Sequence, residues 1–247
     1  MTKQLKKSIL IAIVLSQLSF LSINLFAKET NSLLEKKPIK IDIVSDVVCP
    51  WCAIGFKRLS QAIDEMKVED KIEVEWHPFE LNPDMPKNGM NANKYLMDKY
   101  NLDRQRLLQK REQVTKLGEE ADFKFDYFEN MKKVNTLNAH ILLKYAKKFG
   151  KQTQLKVRLQ HAYFSERKDI SNKDVLFKEL LKVGLNVKEA MPLLDKEEEI
   201  EKIRAEERFW KEQGVFSIPT MVFNNRFAVV GARSVEDYKK VLKELLK

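Results

Sequence analysis

A β-branched run that breaks directly into a Cys-x-x-Cys leaves a chain few folds to choose from. Here Ile41 to Val48 reads as a strand and runs straight into Cys49-Pro50-Trp51-Cys52. Pro50 stands where a first helical turn begins, because its fixed φ suits that position and its missing N–H would find no partner there. The strand therefore hands over to a helix at Cys49. A thiol at a helix N-terminus faces unpaired backbone N–H groups and the positive end of the macrodipole, and both favour thiolate. Thiols in such motifs titrate at roughly 3.5 to 7. Cys52, one turn further in and on the same side, is placed to attack a mixed disulfide formed at Cys49. Cys49 is expected to be the nucleophile and Cys52 the resolving thiol, with Pro50 and Trp51 completing the motif.

These are the only two cysteines in the chain, which narrows the alternatives. A zinc site would need two further ligands, and His77, His140 and His161 form no second paired motif. No metal is expected. A purely structural disulfide is also a poor reading, since so small a loop gains little from being closed.

The chain opens with a basic stretch, Met1 to Lys7, followed by an uncharged, mostly apolar run from Ser8 to Phe26. This is the pattern of a secretory signal. Residues 1–27 are read as the signal, cleaved after Ala27, and an uncleaved membrane anchor is the alternative because the run approaches bilayer-spanning length. Residues 28–38 form a short linker, and 39–247 form one domain with a helical insertion at about 90–213. Removing 1–27 takes away three lysines and no acids, lowering the net charge from +9 to +6. That excess is spread over mixed-charge helices, so it reads as surface solvation and not as a nucleic-acid footprint.

Beyond the Cys49 helix, Lys71 to Leu81 alternates as a second strand, and Asn82-Pro83-Asp84-Met85-Pro86 breaks regular structure. From Asn91 to about Gln213 the pattern turns helical, in segments bounded by Gly118, Gly150, Gly184 and Gly214. They include Val134 to Phe149, and Lys173 to Val183 capped by Ser171 or Asn172. Glu197 to Lys211 is dense in charge but reads as a solvated helix face, with Glu198–Lys202 and Glu207–Lys211 at i,i+4 spacing. His140 and His161 are expected to be packed or hydrogen-bonded. The aromatic run Phe123, Phe125, Tyr127, Phe128 is either core or, where rings stay exposed near the cysteines, a binding surface. Ser217 to Phe223 and Arg226 to Val230 form a hairpin about Asn224-Asn225, and Ser234 caps a last helix. Whether Pro219 is cis cannot be derived from residue chemistry.

The chain resembles the DsbA family of thioredoxin-fold oxidoreductases, and most its FrnE-like branch. The resemblance is carried by Ser45-Asp46-Val47-Val48-Cys49-Pro50-Trp51-Cys52 with Ile54-Gly55, and by Pro78 to Pro86. It continues in Asn135-Thr136 with Ala139-His140, Ala162 to Glu166 with Asp169-Ile170, and Gly214 to Gly231. It implies an α/β, thioredoxin-like fold with a large α-helical insertion similar to the lid of DsbA relatives. It also implies a cis Ile218-Pro219 loop facing the cysteines, with the Ile218 backbone pairing with substrate. Two departures stand out. Trp51 replaces the histidine of DsbA, removing a charged donor, so a weaker oxidant is expected. Ile43 stands where thioredoxin relatives often carry an acid, which leaves the proton acceptor for Cys52 unidentified.

The expected function is an exported, periplasmic thiol-disulfide oxidoreductase that forms or isomerises disulfides in proteins. It needs no bound cofactor. Its partners are thiol- or disulfide-containing proteins and a redox-recycling partner, with membrane contact only if the signal is uncleaved. The rivals are a glutathione-dependent kappa-type transferase or isomerase, in which Cys52 would have no task, and a holdase-type binding protein.

Overall fold

The computed structural model describes residues 37–247, so the expected signal and all of the expected linker but Lys37 and Pro38 lie outside the described residues. β1 (Ile39–Ser45) is followed by α1 (Pro50–Met66) and β2 (Ile72–Pro78). The hairpin strands β5 (Thr220–Phe223) and β6 (Phe227–Val230) and the last helix, α9 (Val235–Leu246), complete this part of the fold. The strand order is β2-β1-β5-β6. β1 runs parallel to β2, with Ile43 opposite Trp76, and antiparallel to β5, with Val44 opposite Thr220. This is the thioredoxin-like α/β arrangement, and β1, which delivers the cysteines, lies inside the sheet.

Period-two alternation gives β1 two different faces. Ile39, Ile41 and Ile43 join Phe56, Leu59, Ile63, Met221, Phe223, Tyr238 and Leu242 in a core between the sheet, α1 and α9. Each such side chain contributes about 1.5–3 kcal/mol when fully buried. Local chemistry frames the same elements. Ser234 accepts the Asp237 N–H at 3.1 Å as cap of α9. Asn224 and Asn225 take φ of 49° and 52° in the hairpin turn, a conformation asparagine tolerates.

Between β2 and β5 lies the insert. Its helices are α2 (Ala92–Tyr100), α3 (Arg104–Glu120), α4 (Leu137–Lys147), α5 (Gln152–Phe164), α6 (Lys173–Lys182), α7 (Val187–Ala190) and α8 (Glu197–Glu212), with a 3-10 turn at Met191–Asp195. Its core gathers Phe123, Phe125, Leu142, Leu155, Leu159, Phe164 and Leu180, and also takes Val47, Val48, Ala53 and Ile54 from the cysteine loop and α1. The motif therefore sits where two hydrophobic cores meet. Asn172 caps α6 through the Asp174 N–H at 2.8 Å.

Some sequence expectations shift in the structure. β1 stops at Ser45 instead of Val48, because the Asp46 side chain and backbone turn the chain toward Cys49. The two-residue strands β3 (Met90–Asn91) and β4 (Lys132–Lys133) pair across the insert, too short to leave a periodic signal. Gly118 does not bound a segment but lies within α3. A Cβ there would overlap the Phe125 ring and come 2.7 Å from the Phe123 carbonyl oxygen, so the glycine lets the aromatic loop pack on the helix. Glu207 does not pair with Lys211. It is buried, accepts the Glu80 N–H at 2.6 Å and meets Arg204 at 3.2 Å.

The other face of β1 carries a charge network. His77 Nε2 lies 2.7 Å from Asp42 and its Nδ1 2.7 Å from Glu206. Lys40 reaches Asp42 at 2.9 Å and Glu75 at 3.1 Å, Lys147 also meets Glu75, and Lys144 meets Glu206. Asp42, Glu75 and His77 are close enough to suggest a metal site, but lysines and the imidazole already compensate the carboxylates. Burial opposes charging His77, but its bonds to Asp42 and Glu206 outweigh it and raise the pKa. A raised histidine stabilises fully below its unfolded value of about 6.5, and the contribution is lost as pH climbs through the folded value. His77→Gln is accordingly expected to cost roughly 1–3 kcal/mol at pH 6, and clearly less at pH 9, in urea unfolding.

Candidate active site

Cys49 is the N-cap of α1 with extended backbone (φ −93°, ψ 114°), and Pro50 opens the helix. The N–H groups of Cys52 and Ala53 both point to the Cys49 carbonyl, at 3.1 and 3.4 Å. Both thiols are free and buried, Cys49 4 % exposed and Cys52 1 %. Trp51, between them, is exposed. The geometry separates the two sulfurs electrostatically. A hydrogen bond from the Cys52 thiol lowers the Cys49 pKa, helped by the Cys52 backbone N–H and the Lys133 charge, against burial and Asp46. Burial, and then the proximity of Cys49, push Cys52 far up, with Lys156 opposing.

The cis-proline loop closes the other side. Ile218-Pro219 is cis, and the Pro219 ring packs 3.3 Å from the position a Cβ on Gly55 would take, which places the loop against α1 just beyond the cysteines. Cys49, Pro50, Trp51 and Ile218 share one cavity of about 730 Å³. Its remaining wall is mostly apolar and aromatic, with Phe79, Leu96, Leu107, Tyr127 and Phe164 among its residues, and also carries Lys110, Arg111 and Lys133. Phe123 and Phe125 are core, whereas Tyr127 faces this cavity, so the aromatic run divides between the two expectations.

Of three further groups near the sulfurs, the sequence reading gives Asp46 only as part of a motif, expects His140 to be packed or hydrogen-bonded, and does not include Lys156. Asp46, three residues before the nucleophile, is 1 % exposed and accepts the Leu81 N–H at 2.9 Å. His140 Nε2 stands 3.5 Å from it. Burial raises the Asp46 pKa, but His140, the Leu81 N–H and Lys156 bring it below the usual carboxylate value. Lys156, on α5, is 1 % exposed, with its Nζ 5.1 Å from the centre of the Trp76 ring. Burial pulls its pKa down to about 8, and the nearby charges of Cys52, Asp46 and Cys49 resist that fall. Ile43, where thioredoxin relatives often carry an acid, is a fully buried core residue of β1. The histidines are all engaged: His77 in the charge network, His140 beside Asp46, and His161 stacked on Phe123 at 4.6 Å.

The profile of the DSBA-like thioredoxin domain family matches residues 40–243. The uncharacterized protein YwbO of Bacillus subtilis is 24 % identical over 208 residues, covering 83 % of this chain and 96 % of its own. A probable DsbA oxidoreductase from Streptomyces coelicolor superposes with a TM-score of 0.79 at 22 % identity, covering 84 % of this chain and 90 % of its own. The cytosolic disulfide reductase DsbM from Pseudomonas aeruginosa, in a structure with GSH, gives 0.59 at 17 % identity, covering 84 % and 98 %.

Proposed function

Since the chain belongs to the DSBA-like thioredoxin domain family of thiol-disulfide oxidoreductases, we propose that it exchanges disulfides with protein substrates through Cys49 and Cys52, as a dithiol oxidase or isomerase exported to the periplasm. The observation that carries this reading is the split between the thiols. The pKa of Cys49, which lines a cavity, is lowered, and that of Cys52 is raised by burial and by the proximity of Cys49.

In the oxidising direction a substrate thiolate attacks Cys49 of the Cys49-Cys52 disulfide, and Cys52 leaves as a thiolate. A second substrate thiolate then attacks the substrate sulfur of the mixed disulfide, so that Cys49 leaves and the product carries the new disulfide. Lys156 is the group that gives Cys52 its proton here and takes it back in reverse, a task suited to an amine that titrates at about 8. Ile218, beside Cys49 on the cavity wall, offers a backbone edge to an extended substrate segment. Pro219 holds that loop against α1.

The motifs shared with the FrnE-like branch support placing the chain there. The basic start and apolar run of residues 1–27 support export. N-terminal sequencing of protein recovered from the periplasm is expected to begin near Lys28, and a full-length cytoplasmic product would sink the export reading. The reaction itself is tested by incubating the oxidised protein with a reduced, unfolded substrate and, separately, the reduced protein with a scrambled one. Gain of activity in the first marks an oxidase, in the second an isomerase, and in neither removes both.

A glutathione-dependent enzyme is the second reading, favoured by the likeness to a disulfide reductase determined with GSH. It leaves Cys52 idle, so full activity in a Cys52→Ala variant would select it.

A further inference from the structure

The proton that Lys156 gives to Cys52 has to be replaced. Reducing the Cys49-Cys52 disulfide leaves a proton on Cys52, whose pKa is far above the ordinary thiol value, while Lys156, titrating at about 8, is mostly charged at neutral pH before and after. One proton must therefore enter from solvent each time the pair is reduced and leave each time it is oxidised. Neither Lys156 nor Cys52 lines the Cys49 cavity, and a substrate bound at Cys49 would cover that side.

A second cavity, of about 70 Å³, does reach Lys156. It lies between β2, an edge strand of the sheet, and α4, α5 and α8 of the insert. Gln152 accepts the Trp76 N–H at 3.0 Å and donates to the Trp76 carbonyl at 2.9 Å, which fixes α5, and with it Lys156, against that strand. The lining runs from buried to wet. Lys156 is 1 % exposed, whereas the side chains of Lys144 and Lys147 are 35 % and 50 % exposed. Among the described residues no protein acceptor bonds the Lys156 Nζ, which is supported only by the Trp76 ring and the charges of Cys52, Asp46 and Cys49. An ammonium with three donors is costly to bury in that condition unless water reaches it. A water needs roughly 10–15 Å³ of such space and two to four polar partners, and this cavity exceeds the first and supplies the second. Burial opposes the charge on Glu206, but His77 and Lys144 hold its pKa down to about 2, so an ionised acceptor stands in the lining at every working pH.

We infer that this cavity is the proton port of the resolving thiol, in which water carries protons between the solvent at Lys144, Lys147 and Glu206 and the ammonium of Lys156. The inference rests on the redox reading above, with Lys156 as the acid for Cys52, and adds the route. When the disulfide is reduced, the Lys156 ammonium gives a proton to the Cys52 thiolate. The amine left behind takes one from water in the cavity, and that water regains it from solvent. Oxidation runs the same transfers backward. Electrons and protons thus use different faces of the pair: sulfur exchange at Cys49, proton exchange beside β2.

The test reads how fast the Nζ protons of Lys156 exchange with water, by NMR of the reduced, ¹⁵N-lysine-labelled protein at pH 6, the signal being identified by its loss in Lys156→Met. Leu143 on α4 and Ile203 on α8 line the cavity and carry no titrating proton, so Leu143→Phe and Ile203→Phe fill it and leave every charged group in place. Each is expected to slow the exchange by at least about tenfold, because exchange then waits on local opening of the fold. Alkylating Cys49 of the wild type with N-phenylmaleimide closes the other side and is expected to leave the rate unchanged. Unchanged exchange in the filled variants, or slowing by the alkylation, overturns the port. One filled variant suffices if the other does not fold. If neither folds, the alkylated wild type decides, exchange kept upholding the port and exchange lost overturning it. The reading of Lys156 as the acid fails on a different result, an unchanged Cys52 step in Lys156→Met.

Discussion

Cys52→Ala is expected to stop turnover and leave substrate covalently held at Cys49. Cys52 attacks from within the same helical turn, and well-oriented intramolecular groups act at effective concentrations of about 10⁵–10⁸ M. Losing it makes release depend on an outside thiol, so release of a mixed disulfide should slow by at least roughly a thousandfold. The adduct is read by mass spectrometry and by a mobility shift that disappears on reduction. Cys49→Ala should capture nothing, because the remaining thiol is buried and strongly protonated. Capture by Cys49→Ala and not by Cys52→Ala would reverse the two roles.

Lys156→Met is expected to slow the Cys52 step by roughly a hundredfold, the lower end of what a positioned acid or base supplies, while making the protein more stable at neutral pH. The two effects share one cause. Lys156 is buried, and its folded pKa of about 8 lies below the ordinary 10.5. Below about pH 8 the lysine is charged in folded and unfolded chains alike, and burial costs the folded state in full. Above about 10.5 it is neutral in both and the cost vanishes. Wild-type stability should therefore gain on the order of 3 kcal/mol from this group as pH climbs between those values. Methionine keeps the length and loses the charge, so the variant should lack that rise and start from the higher level. Single-turnover resolution of a preformed mixed disulfide, followed against pH, should show an inflection near 8 in wild type only. A variant both slower and less stable would point to packing, and an unchanged rate would remove Lys156 from the chemistry.

The parts of this protein that could be read from sequence are those whose cause is local. Pro50 marks the start of α1, Ser234 caps α9, and the asparagine pair turns the hairpin, each through contacts within a few residues. The cysteine pair belongs to the same class. Asp46, Lys133, Lys156 and Arg111 are different, because each gains its meaning from a segment far away in sequence. Lys156 lies between Leu155 and Val157 in a helix whose apolar pattern is weak, and a lysine there reads as solvated. One signal was present. Gln152, Lys156 and Gln160 recur at a spacing of four and are all buried, a polar row that only a helix enclosed on more than one side would carry. Glu207 differs from its expected pairing for the same reason: its i,i+4 lysine is legible in the sequence, and its partner Glu80, contributed by the segment after β2, is not.

The meeting of two hydrophobic cores at the cysteine loop separates the reacting atoms from the groups that set their electrical surroundings. The sulfurs ride on α1; the ammonium groups of Lys133 and Lys156 arrive with the insert. Coulomb energies vary inversely with distance and rise as water is excluded, so the reduction potential becomes a property of how the insert is seated as much as of the four-residue motif. The insert acts as a rheostat, and exchanging it between relatives while keeping Cys-Pro-Trp-Cys intact should retune the potential without touching the reacting pair.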